Sequence, residues 1–355
     1  MLIGDRIRVA FDYSNEETSV AKKTKGEFTV GIDLGGTKIL AAVVAEDGSV
    51  VGSAKKRTQP EDGAEAVLKR IIKTSQEAVD AAGLTLQDIT SIGLGAPGVI
   101  DMARGIVVSG TNMPGWVNVD VNKALRSWHN VPVWLSNDVR VATFGEQIAG
   151  IGKGVKNFVA VFVGTGIGGG LVVNGQIYSG SRGSAGEIGH VIIMADGPFA
   201  VGGGVRGSIE ALASRAAIER DLRTAMAAGR DTILPQLVAD INVKFTSSIL
   251  AKAVDKGDAL TIQVLLQAAH YLGLHAASLI NMFDPEMVIF GGGVFEALGE
   301  WMLAPVRTVA RQYTLNKNNL DQLKIVESKL GGNAGIIGAA LMARYGSLTP
   351  PAVSQ

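Results

Sequence analysis

The chain has 355 residues, with 33 basic and 33 acidic side chains and therefore no formal net charge. Apolar residues make up 47% of it, which excludes a disordered polypeptide, and the balanced charge argues against a polyanion-binding surface. Because cysteine is absent, disulfides, thiolate metal sites and a cysteine nucleophile are excluded. The length predicts two domains. We expect a cytoplasmic protein, since the first residues are too charged for a signal peptide and no apolar run approaches the roughly 18 residues of a membrane span.

The first organised segment follows a predicted N-terminal extension, residues 1–26. From Phe28, two apolar runs flank the Gly-rich turn DLGGTK, and a second turn follows at Asp47-Gly48. This pattern is typical of a β-meander. A predicted helix beginning near Ala64 and a short strand ending in GLGAPGVID come next, and this alternation of strands and helices predicts an α/β fold.

The same pattern returns between residues 158 and 180, as strand, Gly-rich turn, strand, Asn-Gly turn and strand. Setting Phe28 on Phe158 places Asp33 opposite Val163, and a Gly-rich turn begins just beyond each. Two copies of one unit predict two related lobes with a cleft between them.

The C-terminal half is predicted to be more helical, with helices over 208–229, 259–283 and 334–345. The strand MVIFGGGV lies between the last two, and the final helix is apolar and small enough to pack against either lobe. We expect the tail after Gly346 to be disordered.

Two Gly-rich hairpins indicate a phosphate-binding site that differs from the dinucleotide fingerprint. Gly164-Thr-Gly-Ile-Gly-Gly169 formally matches the dinucleotide fingerprint, but that motif needs a helix after it, and LVVNGQ predicts a hairpin instead. Glycine allows the backbone amides of such a hairpin to wrap around a phosphate, and DLGGTK is the same device preceded by a carboxylate. The alternative is that both are merely tight hairpins.

Several motifs together resemble a known family. GIDLGGTK, VGTGIGGG and FGGGV, in this order, resemble the sugar-kinase, actin and Hsp70 superfamily. Within it, GAPGVID, TNMPGW, NDVRVATFGE and AGEIGH are similar to the ROK family of bacterial sugar kinases and repressors, over about residues 28–345. The resemblance implies two ribonuclease-H-like lobes of the actin/hexokinase type with an interlobe cleft. The implied boundaries are a small lobe over 27–136 with the helix 334–346, a large lobe over 137–333, and a tail over 347–355.

The resemblance also implies roles for individual residues. Asp138 is the implied catalytic base, and Asp33 orients Mg²⁺ on ATP. The implied nucleotide-binding residues are Asp33, Gly35, Gly36, Thr37, Lys38, Gly164, Thr165, Gly166, Gly291, Gly292, Gly293 and Asn333. The implied sugar-binding residues are Asn112, Asn137, Asp138, Glu187, His190 and Glu210.

The residues themselves support the role of Asp138, because it begins a predicted helix at the carboxyl end of an apolar strand, where ligands bind in α/β sheets. The alternative is that Asp138 is only the N-cap of that helix. Met113 and Trp116 could flank a pyranose ring or simply anchor their loop.

The resemblance implies an ATP-dependent kinase for the 6-hydroxyl of a hexose, with glucose favoured by the TNMPGW segment. Fructose, mannose and N-acetylhexosamines stay open as substrates, as does polyphosphate as donor. A sugar-responsive regulator is the alternative, but only about 27 residues precede GIDLGGTK, too few for a DNA-binding helix-turn-helix domain. We expect no nucleic-acid or membrane partner, and a homodimer.

One departure from the family concerns zinc. ROK proteins commonly carry Cys-x-Cys-Gly-x-x-Gly-Cys-x-Glu after the AGEIGH segment, and here Val201, Gly203 and Ser208 stand at the cysteine positions. Without thiolates the chain lacks the four ligands of a structural zinc site. We therefore expect no zinc, a sugar-binding His190 oriented by a protein neighbour, and a loop 191–209 held by glycine turns. Apolar contacts are expected from Ile192, Ile193, Phe199 and Val201.

Overall fold

The computed structural model describes residues 27–110, 113–201, 203–240 and 242–349. The predicted extension 1–26, Asn112 and residues 350–355 of the predicted tail lie outside this range. Residues 347–349 correct the tail prediction, because Ser347 N donates to Met342 O at 3.2 Å and Leu348 packs against the apolar cluster around the final helix. No helix in the described ranges is long and apolar enough to cross a membrane.

Residues 27–110, 113–201, 203–240 and 242–349 contain thirteen strands and ten α-helices. The strands are β1 Phe28–Leu34, β2 Lys38–Val44, β3 Val50–Arg57, β4 Ile89–Ala96, β5 Val99–Asp101, β6 Ile106–Ser109, β7 Val117–Asp120, β8 Val133–Asn137, β9 Phe158–Val163, β10 Ile167–Val173, β11 Gln176–Ile177, β12 Met287–Gly291 and β13 Lys324–Glu327. The helices are α1 Ala64–Ala81, α2 Val121–Trp128, α3 Asp138–Ile148, α4 Ile209–Ala213, α5 Arg215–Ala227, α6 Ser247–Asp255, α7 Ala259–Phe283, α8 Gly293–Leu298, α9 Glu300–Tyr313 and α10 Ala334–Tyr345.

Two five-stranded sheets share one plan. The first has the order β3-β2-β1-β4-β8 and the second the order β11-β10-β9-β12-β13. In each, an antiparallel meander is extended by two parallel strands. This equivalence confirms the α/β fold and the internal repeat expected from Phe28 and Phe158. A smaller sheet, β5-β6-β7, follows β4.

The first sheet is covered on both faces. Alternate residues of β1, including Val30 and Ile32, are buried with α1, while α10 lies on the opposite face. A Cβ at Gly31 would overlap Ile336 O, and one at Gly93 would overlap Ala339 O, so α10 approaches the sheet at backbone distance. A Cβ at Gly338 would likewise overlap a carbonyl of α3. Helix α10 is therefore tightly packed between the first sheet and α3.

The predicted helices over 259–283 and 334–345 are confirmed, as is the one beginning at Ala64. The single helix predicted over 208–229 is wrong, because the chain turns at Ser214, whose ψ of 159° is extended. The Ser214 hydroxyl accepts a hydrogen bond of 3.1 Å from Ala217 N and so caps α5. Two short helices, α4 and α5, replace the long one.

Candidate functional site

Asp138 is the first residue of α3 and directly follows β8. The helix cap is the preceding residue, because Asn137 Oδ1 accepts hydrogen bonds from Val139 N at 3.1 Å and Arg140 N at 3.2 Å. Asp138 Oδ1 accepts from Val139 N at 2.9 Å, and the carboxylate also interacts with its own backbone amide, but no other residue in the described part of the chain bonds to it. The interpretation of Asp138 as the cap is thus wrong, and its carboxylate is available to a ligand.

Asp138 lies where the two large sheets meet. A Cβ at Gly95, near the carboxyl end of β4, would come within 3.1 Å of Asp138 Cα. The next residue, Val139, packs on β10 of the second sheet, where only a glycine at position 168 leaves room for it. The backbone at Asp138 therefore contacts one sheet and its neighbour contacts the other.

A second carboxylate, Asp33, lies near the end of β1. Burial raises the pKa of Asp138 to about 7, and the negative charge of Asp33 contributes to this rise. Burial also raises the pKa of Asp33, to about 6, against the opposing effect of Lys38. The first turn of α10 confines Asp33, since a Cβ at Gly335 would come within 2.9 Å of its Cγ. The charge of Asp33 therefore acts on the carboxylate of Asp138.

The first Gly-rich hairpin, Gly35–Thr37, is braced by Thr58 at the end of β3. Thr58 Oγ1 donates to Gly35 O at 2.5 Å, and Thr58 N donates to Thr37 O at 3.0 Å. Protein donors therefore satisfy the hairpin carbonyls, while the amides of Gly36 and Thr37 have no acceptor among the described residues. Outward amides of this kind suit an anion.

The second Gly-rich hairpin, Gly164–Gly166, has the same arrangement with different donors. Arg215 N donates to Gly164 O at 3.0 Å and Ala216 N to Thr165 O at 3.3 Å. The amides of Thr165 and Gly166 again have no acceptor within the described ranges. The helix break at Ser214 makes this possible, because it turns the first amides of α5 toward the hairpin.

Glu210, an expected sugar ligand, contacts this hairpin. Its Oε2 accepts a hydrogen bond of 2.8 Å from Ile167 N, and a Cβ at Gly166 would overlap that oxygen. Only glycine at position 166 therefore permits the contact. One carboxylate oxygen of Glu210 is committed to the hairpin, which leaves the other for a ligand.

The FGGG turn lies beside the same hairpin. Gly292 has φ of 83°, and a Cβ there would come within 2.7 Å of Val163 O, while one at Gly291 would come within 2.8 Å of the Phe162 ring. Packing on β9 is sufficient reason for these two glycines. Gly293 begins α8, and Asn333 precedes α10 without capping it.

Glu187 and His190 flank one 3₁₀ turn, Ile188–His190, as their spacing predicts. Glu187 Oε2 lies 3.9 Å from His190 Nε2, and their side chains are 56% and 49% exposed. Glu187 lies beside His190 without a hydrogen bond to it, so the orientation of His190 by a protein neighbour stays a prediction. The charge of Glu187 also contributes to the raised pKa of Asp138, after burial and Asp33.

Two expected sugar ligands remain, Asn112 and Asn137. Asn112 lies outside the described residues. Asn137 is engaged through its oxygen as the cap of α3, and its Nδ2 lies 3.4 Å from Gly98 O. Met113 and Trp116 are buried with the core of the first sheet, so they anchor their loop.

The contacts that hold the loop 191–209 differ from those predicted from the sequence. Ile193 packs against the core, but Ile192, Phe199 and Val201 are exposed, so the predicted apolar contacts of these three are wrong. Ser208, at a cysteine position of the family pattern, instead caps α4 by accepting from Ala211 N at 3.2 Å.

Backbone hydrogen bonds and one arginine close this loop. Ile193 N donates to Gly207 O at 2.9 Å and Gly207 N to Pro198 O at 2.7 Å. Arg206 Nε donates across the loop to Gly197 O at 2.8 Å. Among residues 27–110, 113–201, 203–240 and 242–349, no three His, Asp or Glu side chains form a metal-binding group.

Sequence reasoning missed two side chains on α3. Arg140 is 8% exposed and donates to Gly183 O at 2.7 Å, which holds the loop that precedes Glu187. Glu146 is fully buried, and its carboxylate accepts from Ser328 Oγ at 2.6 Å and Leu330 N at 2.8 Å. It thereby ties the helix of Asp138 to the segment that leads to Asn333. The available signal was charge within the otherwise apolar helix 138–148.

Comparisons with known proteins agree with this geometry. The family model described as ROK family matches residues 29–345. A glucokinase from Thermotoga maritima is 34% identical over 311 residues, which cover 88% of this chain and 95% of that protein. The crystal structure of a ROK family glucokinase from Streptomyces griseus in complex with glucose and AMPPNP superposes with a TM-score of 0.80, at 30% identity, and covers 90% of this chain and 99% of that one. The ROK hexokinase from Thermus thermophilus has a TM-score of 0.71 at 33% identity, with coverages of 90% and 98%. These likenesses confirm the expected actin/hexokinase-type fold.

Proposed function

The chain belongs to the ROK family and is a sugar kinase, and we propose that it transfers the γ-phosphoryl group of ATP to the 6-hydroxyl of a hexose, with glucose preferred. The relatives named glucokinase and the complex with glucose and AMPPNP support this assignment. The proposed lobes are 27–136 with 334–346, and 137–333, with the substrates between them.

The carboxylate of Asp138 carries the proposal. Phosphoryl transfer needs positioned phosphates, charge neutralisation and one group that accepts the hydroxyl proton. The Asp138 carboxylate bonds only to backbone amides, those of Val139 and Asp138 itself, within the described chain, and burial above all raises its pKa to about 7, so it can take a proton near neutral pH. We assign it the role of general base for the 6-hydroxyl.

The nucleotide phosphates would be held by the two hairpins. The amides of Gly36, Thr37, Thr165 and Gly166, which have no acceptor among the described residues, support this role. Lys38 supplies positive charge beside Asp33. Gly35 and Gly164 form the hairpin corners. Gly291, Gly292, Gly293 and Asn333 would line the adenosine end.

Magnesium fits the carboxylate chemistry of this region. Asp33 offers hard oxygen ligands, and its negative charge acts on Asp138, where it adds to the effect of burial on the pKa. When bound with ATP, the ion supplies neutralisation of phosphate charge. Asp33 would orient it. Zinc is not part of the proposal, because Val201, Gly203 and Ser208 offer no thiolate.

The sugar hydroxyls would be bound by Glu187, His190 and Glu210, together with Asn112 and Asn137. The exposure of Glu187 and His190 and the free oxygen of Glu210 support this assignment. Because Glu210 also contacts Ile167 N, it would link the sugar to the phosphate hairpin directly.

A coupled ADP-release assay with glucose, fructose, mannose and N-acetylglucosamine tests the function. We expect turnover with ATP and Mg²⁺, highest with glucose, and no DNA binding at physiological salt. Inorganic polyphosphate in place of ATP identifies the donor. Absence of turnover on every hexose, with sugar or DNA binding retained, would instead support a regulator.

A further inference from the structure

Arg215 links helix α5 to the second hairpin through its side chain. The side chain is 14% exposed, and its Nη1 donates to Phe245 O at 2.9 Å and contacts Glu219 Oε2 at 3.4 Å. Its Nη2 donates to Thr165 Oγ1 at 3.0 Å. The guanidinium is therefore fixed between a carbonyl, a carboxylate and a hydroxyl of the hairpin.

This contact fixes the direction of the Thr165 hydroxyl. A hydroxyl has one proton and two acceptor lone pairs, whereas a guanidinium has donors alone. The Thr165 oxygen must therefore accept from Arg215, and its own proton must point elsewhere. Thr165 is exposed, and its proton has no acceptor among the described residues.

Phosphate oxygens are acceptors, so such a hydroxyl is suited to them. We propose that Arg215 is a positioning residue that holds the Thr165 hydroxyl as a donor to a nucleotide phosphate. The inference rests on the proposed function, since it concerns the phosphates that this hairpin would hold. The charged guanidinium donates to the hydroxyl oxygen, and a hydroxyl that accepts such a hydrogen bond is a stronger donor in turn.

The break at Ser214 gives this arrangement its rigidity. It places Arg215 at the hairpin through both backbone and side chain, while Glu210 on α4 binds Ile167 N at the other end of the turn. The hairpin is thus held at both ends before any nucleotide arrives, and preorganised donors cost little to align on binding.

The test compares Arg215→Gln, Thr165→Val and the double variant. The readouts are the affinity for a fluorescent ATP analogue with Mg²⁺, the KM for ATP, kcat and the affinity for glucose. We expect each single change to weaken nucleotide binding by about tenfold and to raise the KM for ATP, because one charge-supported hydrogen bond is lost. Glucose affinity should not change. The double variant should be no weaker than either single one, since both remove the same interaction.

Two further variants separate positioning from general stability. Arg215→Lys keeps a cationic donor and should recover part of the affinity. Arg223→Gln is the matched control, because Arg223 lies two turns further along α5 and binds Glu219 at 2.8 Å and Val243 O at 2.8 Å. It should lower the unfolding temperature without weakening nucleotide binding.

Additive effects of Arg215→Gln and Thr165→Val would overturn the proposal, as would equal losses of nucleotide affinity in Arg215→Gln and Arg223→Gln. Failure of the proposed function would give a different result. A wild-type protein that binds the ATP analogue but phosphorylates no hexose would reject the kinase assignment. The nucleotide affinities of the Arg215 and Thr165 variants would still test the positioning role of Arg215.

Discussion

Asp33 and Asp138 interact electrostatically, since burial raises the pKa of Asp138 to about 7 and the negative charge of Asp33 adds to that rise. One consequence concerns catalysis. A general base works only when deprotonated, so kcat/KM should fall as the pH decreases below about 7. Asp33→Asn removes the like charge and should therefore move this acidic limb to lower pH. The measurement is the pH profile of kcat/KM, which reports the free enzyme.

Glu187→Gln is the control for this shift. Glu187 is the smallest of the causes that raise the pKa of Asp138, so its removal should move the limb in the same direction but by less. An acidic limb that stays in place in Asp33→Asn would mean that a group other than Asp138 governs it.

The cap and base roles of Asn137 and Asp138 can be separated. Asp138→Asn should lower kcat by about 10²–10⁴-fold while glucose binding and thermal stability persist, because the amide keeps the shape but accepts no proton. Asn137→Ala should instead cost about 1 kcal/mol of stability, since Arg140 N loses its acceptor and Val139 N loses one of its two acceptors. Thermal unfolding and steady-state kinetics on both variants check this. The opposite pattern would return the cap role to Asp138.

Neighbouring glycines of the second hairpin should respond differently to alanine. A Cβ at Gly164 meets no atom within 4 Å, so Gly164→Ala should unfold at the wild-type temperature. Its methyl group would occupy the space of the proposed phosphates and weaken ATP binding by about tenfold. Gly166→Ala should destabilise the protein by about 1–3 kcal/mol, because Glu210 must move. Calorimetry and nucleotide titration distinguish the two, and a Gly164→Ala protein with normal ATP affinity would place the phosphates elsewhere.

His275 on α7 predicts a pH dependence of stability. Its ring is fully buried, both nitrogens lack partners among the described residues, and burial lowers its pKa to about 4. The imidazole of His275 therefore binds a proton below about pH 6.5 in the unfolded chain, but only below about pH 4 in the folded chain. The free energy of unfolding should fall by up to about 3 kcal/mol as the pH decreases through this window.

His275→Leu should remove this share of the pH dependence, as measured by urea unfolding between pH 4 and 7. The difference between variant and wild type is the relevant quantity, since Asp33 and Asp138, with raised pKa values, contribute slopes of the opposite sign. His270→Gln on the same helix is the control, because His270 is only partly buried. An unchanged difference at every pH would show that His275 is hydrated.

Metal analysis tests the expected lack of zinc. The purified protein should contain well below one zinc per chain, and chelation followed by dialysis into Mg²⁺ should restore full activity. Stoichiometric zinc lost together with activity would contradict this expectation.

Arg206→Gln should loosen the loop 191–209, with faster amide exchange at Ile193 and Gly207, because it removes the hydrogen bond across the loop to Gly197 O.

The hairpins, the repeat and the position of Asp138 followed from the sequence, since alternating apolar residues and Gly-rich turns act locally. The helix break at Ser214 did not follow from the sequence, because a serine can lie inside a helix or cap one. The contacts of Arg215 and Ala216 with Gly164 and Thr165, which are distant in sequence, favour the cap. The predicted apolar contacts in the loop 191–209 were wrong for another reason. Buried positions are mostly apolar, but an apolar residue such as Phe199 is often exposed.

The position of α10 has a consequence for how the protein is made. This helix covers Gly31 and Gly93 on the first sheet and confines Asp33 through Gly335, yet it is synthesised after every other described element. During synthesis on the ribosome, one face of β1 and β4 therefore stays uncovered until α10, which ends at Tyr345, has been made. A nascent chain without α10 has no finished surroundings for Asp33, so we expect it to bind substrate only once this helix has been made.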